Sequence, residues 1–251
     1  IGLYRGASEI LLGFCDTGSR RLDAVLKEAE AFGDPLALDF AYCFQAICAV
    51  YRNMPDAAAK YGELALELAQ ANDLISWEAH SYCTTGWAYA QGEAAQMGIE
   101  RIRSGIDLWQ QMGARVMLPT WSTLLAEALL SSGDRDGALL EIETNIERWG
   151  SGDEANYRAE TWRVKGDVLL GAGPTGSSGA EECYREAGRI AREQKTQLFQ
   201  LRADLRLAKL LADRSKDQEA ISVLTPVVGT FTEGFDTADL RDAKALLDQL
   251  S

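Results

Sequence analysis

The sequence predicts an all-α fold, a solenoid of antiparallel helix pairs with 40 residues in most repeats. Alanine and leucine are abundant and prolines number only five, which favours helices. Turn-forming residues recur at the same interval as small residues. The first series of small residues has four steps of 40 and one of 42: Gly6, Ala46, Gly86, Ala126, Gly166 and Ala208. A second series follows it by twelve residues: Gly18, Ala58, Gly98, Ala138, Ala180 and Ala220.

Close packing explains why these positions hold small residues. Two antiparallel helices approach closely only where the side chains at their crossing are small. Neither helix of a pair buries its apolar stripe alone, so each pair needs a stacked neighbour. The spacing of Leu64, Ala65 and Leu68 is typical of a helix face directed at such a core.

Turn signals divide the chain into six helix pairs and a final helix. Asp34 and Pro35 are typical of a helix start, and Gly133 followed by Asp134 ends one helix and caps the next. Similar signals occur at 53–56, 71–73 and 215–217. The predicted pairs span 3–32, 36–71, 74–113, 116–149, 157–194 and 196–233, and the final helix spans 237–250. We expect one solenoid domain, with repeats over 1–235 and a capping helix over 236–251.

Charge and composition exclude several functions. The net charge of −13 argues against binding nucleic acid or an anionic membrane, because phosphate contacts need basic side chains. Uncharged runs such as 40–51 are shorter than the roughly 20 residues that a membrane span needs. Five cysteines without close pair spacing predict reduced thiols in a cytoplasmic protein. With His80 as the only histidine, we expect no metal site and no cofactor. The chain has no recognisable signal peptide. It begins within an apolar-periodic stretch, so we expect either a piece of a longer protein or a processed chain.

Two segments resemble the tetratricopeptide repeat (TPR) family. One match comprises Trp162, Gly166, Leu169, Ala180, Tyr184 and Ala187, with Lys165 and Leu169 in place of the family's Leu and Tyr. The other comprises Gly86, Tyr89, Gly98, Ile102 and Gly105. The resemblance implies a right-handed superhelix whose first helices line a concave groove. The period is longer than the family's usual one and resembles the longer-helix variant of large bacterial regulators.

The C-terminal part resembles a narrower group. Residues 224–227, 231–237 and 239–247, together with 109–119 and 124–130, are similar to the terminal repeat array of bacterial multidomain regulators. Those proteins also carry an adenylate/guanylate cyclase-like domain and a P-loop ATPase module. The resemblance covers residues 36–250 and implies a part in signal transduction.

The family's groove positions, carried across by repeat phase, give the candidate partner-binding residues. In the first half they are Phe40, Cys43, Ile47, His80, Cys83, Trp87 and Gln91. In the second half they are Thr120, Thr123, Glu127, Glu160, Arg163, Asp167, Arg202 and Lys209. We expect Trp87 to be an aromatic anchor and Arg163 a partner for a carboxylate. The alternative is that Glu160, Arg163 and Asp167 form a solvated ladder of ion pairs.

Two features suggest catalysis, and neither predicts an enzyme. The segment 171–178 has the glycine spacing of a phosphate-binding loop, but Ser177 stands where that loop needs lysine. The repeat phase makes this segment a lengthened turn between helices. Cys43 and Cys83 occupy equivalent positions in neighbouring repeats, and we expect free thiols there.

The sequence therefore predicts a non-catalytic TPR-like domain that binds a protein, a peptide or a neighbouring domain in its groove. The alternative function is a superhelical sensor that binds a small molecule on its inner face.

Overall fold

The computed structural model describes residues 1–149, 157–173 and 176–250, except the side chain of residue 149. These residues form thirteen α-helices and no strand, which confirms the all-α fold class. The first helices of the pairs are α1 (Gly2–Leu11), α3 (Pro35–Tyr51), α5 (Ile75–Ala90), α7 (Leu118–Ser131), α9 (Arg158–Leu170) and α11 (Gln197–Ala212). The second helices are α2 (Cys15–Phe32), α4 (Pro55–Ala71), α6 (Ala95–Gln111), α8 (Arg135–Trp149), α10 (Ser177–Gln194) and α12 (Asp217–Val228). Helix α13 (Ala238–Leu250) follows the last pair.

The predicted capping and turn residues lie at the helix boundaries. Asp34 Oδ2 accepts a hydrogen bond from the Ala37 amide at 2.8 Å, and Pro35 opens α3. Asp134 Oδ1 accepts one from the Gly137 amide at 2.9 Å. These caps satisfy amides that have no partner within their own helix. Three of the other predicted turns contain a residue with left-handed backbone: Asn53 (φ 53°), Asp73 (φ 54°) and Ser215 (φ 57°).

The small residues lie where paired helices cross. A Cβ atom at Gly86 would lie 2.6 Å from the carbonyl oxygen of Gly98, so α5 and α6 touch backbone to backbone. A Cβ at Gly18 would lie 2.5 Å from the carbonyl oxygen of Gly6, which joins α1 and α2 in the same way. The equivalent alanines of other pairs are fully buried. The small residues that recur every 40 residues therefore mark the points where paired helices pack closely.

The array curves until its two ends meet, although repeats of a solenoid normally contact only their neighbours. Helix α1 contacts α11. The backbone amide and the Oγ1 of Thr17 each donate to Glu233 at 2.8 Å. The amide of Gly234 donates to Asp16 Oδ2 at 3.1 Å. These contacts close the array into a ring.

Three aromatic rings join the second repeat to the last two across the ring. Tyr51 ends α3, Tyr157 precedes α9, and Phe199 lies in the first turn of α11. The ring centroid of Tyr51 lies 5.8 Å from those of Tyr157 and Phe199, which are 5.5 Å apart. All three side chains are buried. This aromatic triad gives the ring an apolar centre.

Candidate functional site

The first helices of five pairs converge with α13 on one cavity inside the ring. Its volume is about 140 Å³, and α3, α5, α7, α9, α11 and α13 all contribute to its wall. Six of the predicted groove residues line it: Trp87, Gln91, Glu127, Arg163, Arg202 and Lys209. The repeat phase thus identified residues that lie together although they come from four different pairs.

Arg163 is the centre of a buried ionic network beside this cavity. Its Nη2 donates to Glu127 Oε1 at 3.1 Å, and its Nε donates to both oxygens of Glu160 at 3.0 Å. Its Nη1 donates to Asp167 Oδ2 at 2.5 Å. Trp87 Nε1 donates to Glu127 Oε2 at 2.7 Å. One arginine therefore joins α7 to α9, and Glu127 extends the network to α5.

Arg202 continues the network toward the chain termini. Its Nε donates to Asp239 Oδ2 at 2.8 Å, and its Nη1 donates to Glu160 Oε2 at 3.2 Å. Its Nη2 donates to the carbonyl oxygen of Tyr51 at the end of α3. The guanidinium also lies over the ring of Phe199, 5.9 Å from its centroid. Arg202 thereby connects α3, α9, α11 and α13.

The network offsets the effect of burial on the pKa of Glu127, Arg163 and Arg202. Burial acts to raise the pKa of Glu127, but the charge of Arg163 and the Trp87 hydrogen bond outweigh it and hold that pKa below its ordinary value. Burial acts to lower the pKa of Arg163 and Arg202, and the carboxylates around them raise it instead. Each ion is thus stabilised by its partners and depends on them.

The rim of the cavity has side chains that remain available. Asn53 and Gln91 are exposed, and their side-chain amide groups make no hydrogen bond within the described part of the chain. Lys209 lies 3.3 Å from Asp242, with 41% and 61% of these side chains exposed. Arg206 lies 3.2 Å from Asp167 and is 46% exposed. Because the basic partner of each pair is exposed, each pair stabilises the fold only weakly.

The structure differs from two expectations about the predicted residues. Trp87 is 3% exposed and Arg163 is 5% exposed, and both are bonded within the chain rather than free to anchor a partner. The alternative of a solvated ladder is wrong, because Glu160 is 1% exposed and belongs to the buried network.

Other predicted groove residues lie away from the cavity, in the packing between helices. Cys43 Sγ lies 3.7 Å from Asp39 Oδ1 and from Ser81 Oγ, and Cys83 Sγ lies 3.8 Å from the carbonyl oxygen of Ile102. Burial raises the pKa of both thiols, so neither is a ready nucleophile. All five cysteines are free and buried, as predicted. Ile47 and Thr120 are buried, and Thr123 is buried with its Oγ1 bonded to Thr161 Oγ1 at 2.9 Å.

Phe40 and His80 belong to a series of aromatic contacts across the inner helices. The Phe40 ring lies 4.9 Å from that of Trp77, and the His80 ring lies 5.0 Å from that of Trp121. Burial lowers the pKa of His80 to about 4, so its imidazole is neutral at pH 7. We assign these side chains to the packing of the inner wall.

Sequence reasoning missed three side chains at the centre, namely Tyr51, Tyr157 and Asp239. Tyr51 meets the network through ring closure, which brings together parts of the chain with no repeat relationship. Tyr157 instead contacts Phe199 of the adjacent repeat, and Asp239 meets Arg202 where α13 packs on its neighbour α11. The sequence did contain a signal for one ion pair of the network. Glu160 and Arg202 have opposite charges at equivalent positions of adjacent repeats.

The segment proposed as a damaged phosphate loop follows a helix. Residues Val168 and Leu170 belong to α9, whereas a phosphate loop follows a strand. Arg214 Nη2 donates to the carbonyl oxygen of Ser177 at 2.8 Å, at the start of α10. Residues 174 and 175 of the segment lie outside the described part.

Asp39 is a buried carboxyl group on α3, and it provides a pH-dependent prediction. Its side chain is fully buried, and Oδ2 has no hydrogen-bond partner among the residues that the structure describes. Burial raises its pKa from 3.8 to about 7, against a smaller opposing effect of the Cys43 hydrogen bond. Because the unfolded chain releases this proton first, the folded state loses stability as the pH rises from 3.8 to 7.

We expect Asp39→Asn to remove this dependence. Relative to the parent, its free energy of unfolding should rise by roughly 2–3 kcal/mol between pH 5 and pH 8. Urea denaturation at the two pH values measures this difference, and Asp248→Asn on the exposed face of α13 is the matched control. An unchanged difference between the two pH values would show that Asp39 ionises normally in the folded chain.

The described residues form neither a membrane-spanning helix nor a metal site. Among the described residues, no helix is both long and apolar enough to cross a membrane. Within the same ranges, no group of three or more His, Cys, Asp or Glu side chains is arranged to hold a metal ion.

Comparison with known proteins defines the fold more closely. The chain is similar to solved structures of NprR in complex with its cognate peptide NprX (TM-score 0.68, 14% identity) and of a Rap protein complexed with competence and sporulation factor (TM-score 0.69, 12% identity). The first match covers 94% of this chain and 65% of NprR, and the second covers 98% and 73%. The apo form of RapI is also similar, with a TM-score of 0.53 and 14% identity over 98% of this chain and 75% of that one. The fold is therefore a TPR-like helical repeat array.

Sequence comparison is less informative. No family model matches the chain. An uncharacterized protein of Rhizobium meliloti (strain 1021) is 25% identical over 173 residues, which are 67% of this chain. The match spans only 17% of that relative's length.

Proposed function

We propose that this chain is a non-catalytic interaction domain whose partner binds at the central cavity and its rim. The main observation behind this proposal is that α3, α5, α7, α9, α11 and α13 converge on one cavity. The charged side chains at its rim are exposed and form only weak ion pairs. Protein partners that bind through extended segments place side chains in such pockets.

The cavity wall indicates what kind of segment fits. A volume of about 140 Å³ holds a single side chain of leucine or phenylalanine size rather than a whole ligand. Val50, Leu205 and Tyr157 supply apolar surface for it. The amide groups of Asn53 and Gln91 suit the carbonyl and amide groups of an extended backbone. An extended peptide that places one side chain in the cavity is the partner class that this lining favours.

Two comparisons support a peptide or protein partner and a regulatory setting. NprR, a structural neighbour, is seen with its cognate peptide NprX. The sequence resemblance to the terminal arrays of cyclase-like, P-loop ATPase regulators supports placing the chain in a bacterial signalling protein. In that setting the bound segment belongs to a neighbouring domain or to a separate protein, and the site is in the cytoplasm.

A phage-displayed library of random short peptides, selected on the immobilised chain, tests this proposal. We expect enriched peptides to lose affinity by about tenfold or more for the rim variant Gln91→Ala/Lys209→Ala. The matched control is Gln96→Ala/Lys216→Ala, which removes the same residue types from the outer helices. Peptides that bind the rim variant and the parent equally would refute the rim as the binding site.

A small-molecule sensor is the second candidate, favoured by the small volume of the cavity and its charged wall. A ligand that binds only the folded state stabilises it by RT ln(1 + [L]/Kd) and so raises the unfolding temperature. A thermal-shift screen of nucleotides and metabolites separates the candidates: a shift that the rim variant abolishes would favour the sensor.

A further inference from the structure

Helix α2 receives its N-terminal cap from the opposite end of the chain. Phe14, at the N-cap position, provides no side-chain acceptor for the first amides of the helix. The carboxylate of Glu233 takes this place, since one oxygen accepts from the Thr17 amide and the other from its hydroxyl, both at 2.8 Å. A carboxylate at a helix N-terminus is also favoured by the helix dipole.

The contact is reciprocal. Asp16, in the first turn of α2, accepts a hydrogen bond from the Gly234 amide at 3.1 Å. Gly234 has a φ of 73°, and a Cβ there would lie 3.1 Å from the Cβ of Cys15. The arrangement is similar to a capping box, because each segment accepts a backbone amide of the other, but its two halves lie far apart in the sequence. We name Asp16, Thr17, Glu233 and Gly234 the clasp.

The clasp leads directly into α13. Thr237 Oγ1 donates to the Gly234 carbonyl oxygen at 2.7 Å, and the Thr237 carbonyl accepts the amide of Arg241 at 3.0 Å. Helix α13 then places Asp239 and Asp242 on the cavity wall. Its buried residues are Asp239, Leu240 and Ala243, and Leu246, Leu247 and Leu250 pack against the same core while partly buried. The attachment of α13 therefore depends on this apolar face, on ion pairs with α11 and on the clasp.

We propose that α13 is a lid over the central cavity and that the clasp holds it closed. When the clasp opens, Asp239 and Asp242 leave Arg202 and Lys209, and the cavity becomes accessible from the side of α13. The proposal rests on the proposed function only in taking the cavity as the partner-binding site. Lid opening itself is measurable without a partner. In this proposal, the clasp between the two ends of the array controls the access of a partner to the cavity.

Hydrogen exchange of the whole chain, followed by mass spectrometry, tests the lid. We expect Glu233→Ala to speed exchange of α13 amides by about tenfold or more while α6 keeps the parent rate, because two charge-assisted hydrogen bonds are lost. Thr17→Val removes only the hydroxyl donor and should give a smaller increase. The matched control is Glu193→Ala on α10, whose carboxylate pairs with exposed Arg189. Parent-like exchange in α13, or an equal increase in α6 and α13, would overturn the proposal.

A second measurement links the lid to the cavity. Leu205 lines the cavity and is 6% exposed, and the native thiols are buried. We expect alkylation of Leu205→Cys by iodoacetamide to be faster when Glu233→Ala is also present. An unchanged rate would show that clasp opening leaves the cavity closed. A peptide selection that fails would count against the proposed function and would leave both of these readouts unaffected.

Discussion

Replacing Arg163 with methionine is expected to lower the free energy of unfolding by about 3–5 kcal/mol. Methionine is apolar and similar in length, so the main change is the loss of the guanidinium. Glu127 then loses its ion-pair partner and keeps only the neutral Trp87 donor among the described residues, whereas Asp167 keeps Arg206 and Glu160 keeps Arg202. A buried carboxylate without a partner is costly, so the penalty comes from the charges left behind. Urea denaturation at pH 7 measures the effect.

Two variants separate this explanation from a loss of packing. Arg185→Met is the surface control, since Arg185 pairs with Glu181 and Glu219 while 45% exposed, and should cost less than about 1 kcal/mol. Adding Glu127→Gln to Arg163→Met removes the unpaired charge and should restore part of the lost stability. If the double variant were as unstable as the sum of the two single variants, the ionic account of the centre would be wrong.

Truncating Phe199 to alanine is expected to destabilise the chain by about 3–5 kcal/mol. Its ring is 1% exposed and contacts Tyr51, Tyr157 and the guanidinium of Arg202. These contacts join the second repeat to the fifth and sixth, so the substitution leaves a void at the centre of the ring. Thermal and urea unfolding both report the loss.

Phe235→Ala is the matched control for this truncation. The Phe235 ring is 48% exposed and lies under the Lys244 ammonium at 4.2 Å, so its removal should cost less than about 1 kcal/mol. A small effect of Phe199→Ala, similar to the control, would mean that the two sides of the ring are held together by other contacts.

The repeat phase explains how much of the fold was predictable. Close packing at Gly86 and Gly98 is a local requirement, so the spacing of small residues marks each helix pair. The same phase placed Trp87 and Glu127 at equivalent positions of adjacent repeats, and the structure joins them by a hydrogen bond. Pairing between equivalent positions is therefore readable in principle from a single sequence.

Ring closure was not predictable in this way. Thr17 and Glu233 are 216 residues apart, and nothing in the repeat relates the start of α2 to the loop before α13. Closure brings the carbonyl oxygen of Tyr51 against Arg202, a contact that the repeat does not predict. The expectation of an open groove with Arg163 free for a partner failed for a different reason, because carboxylates of α9 itself and of the adjacent α7 bind its guanidinium.

Small-angle X-ray scattering of the isolated chain tests the central claim most directly, namely that the helix pairs close into a ring around the cavity. A closed ring predicts a radius of gyration near that of a compact chain of 251 residues, about 18 Å. A radius several ångströms larger, with the scattering profile of an open curved rod, would contradict it.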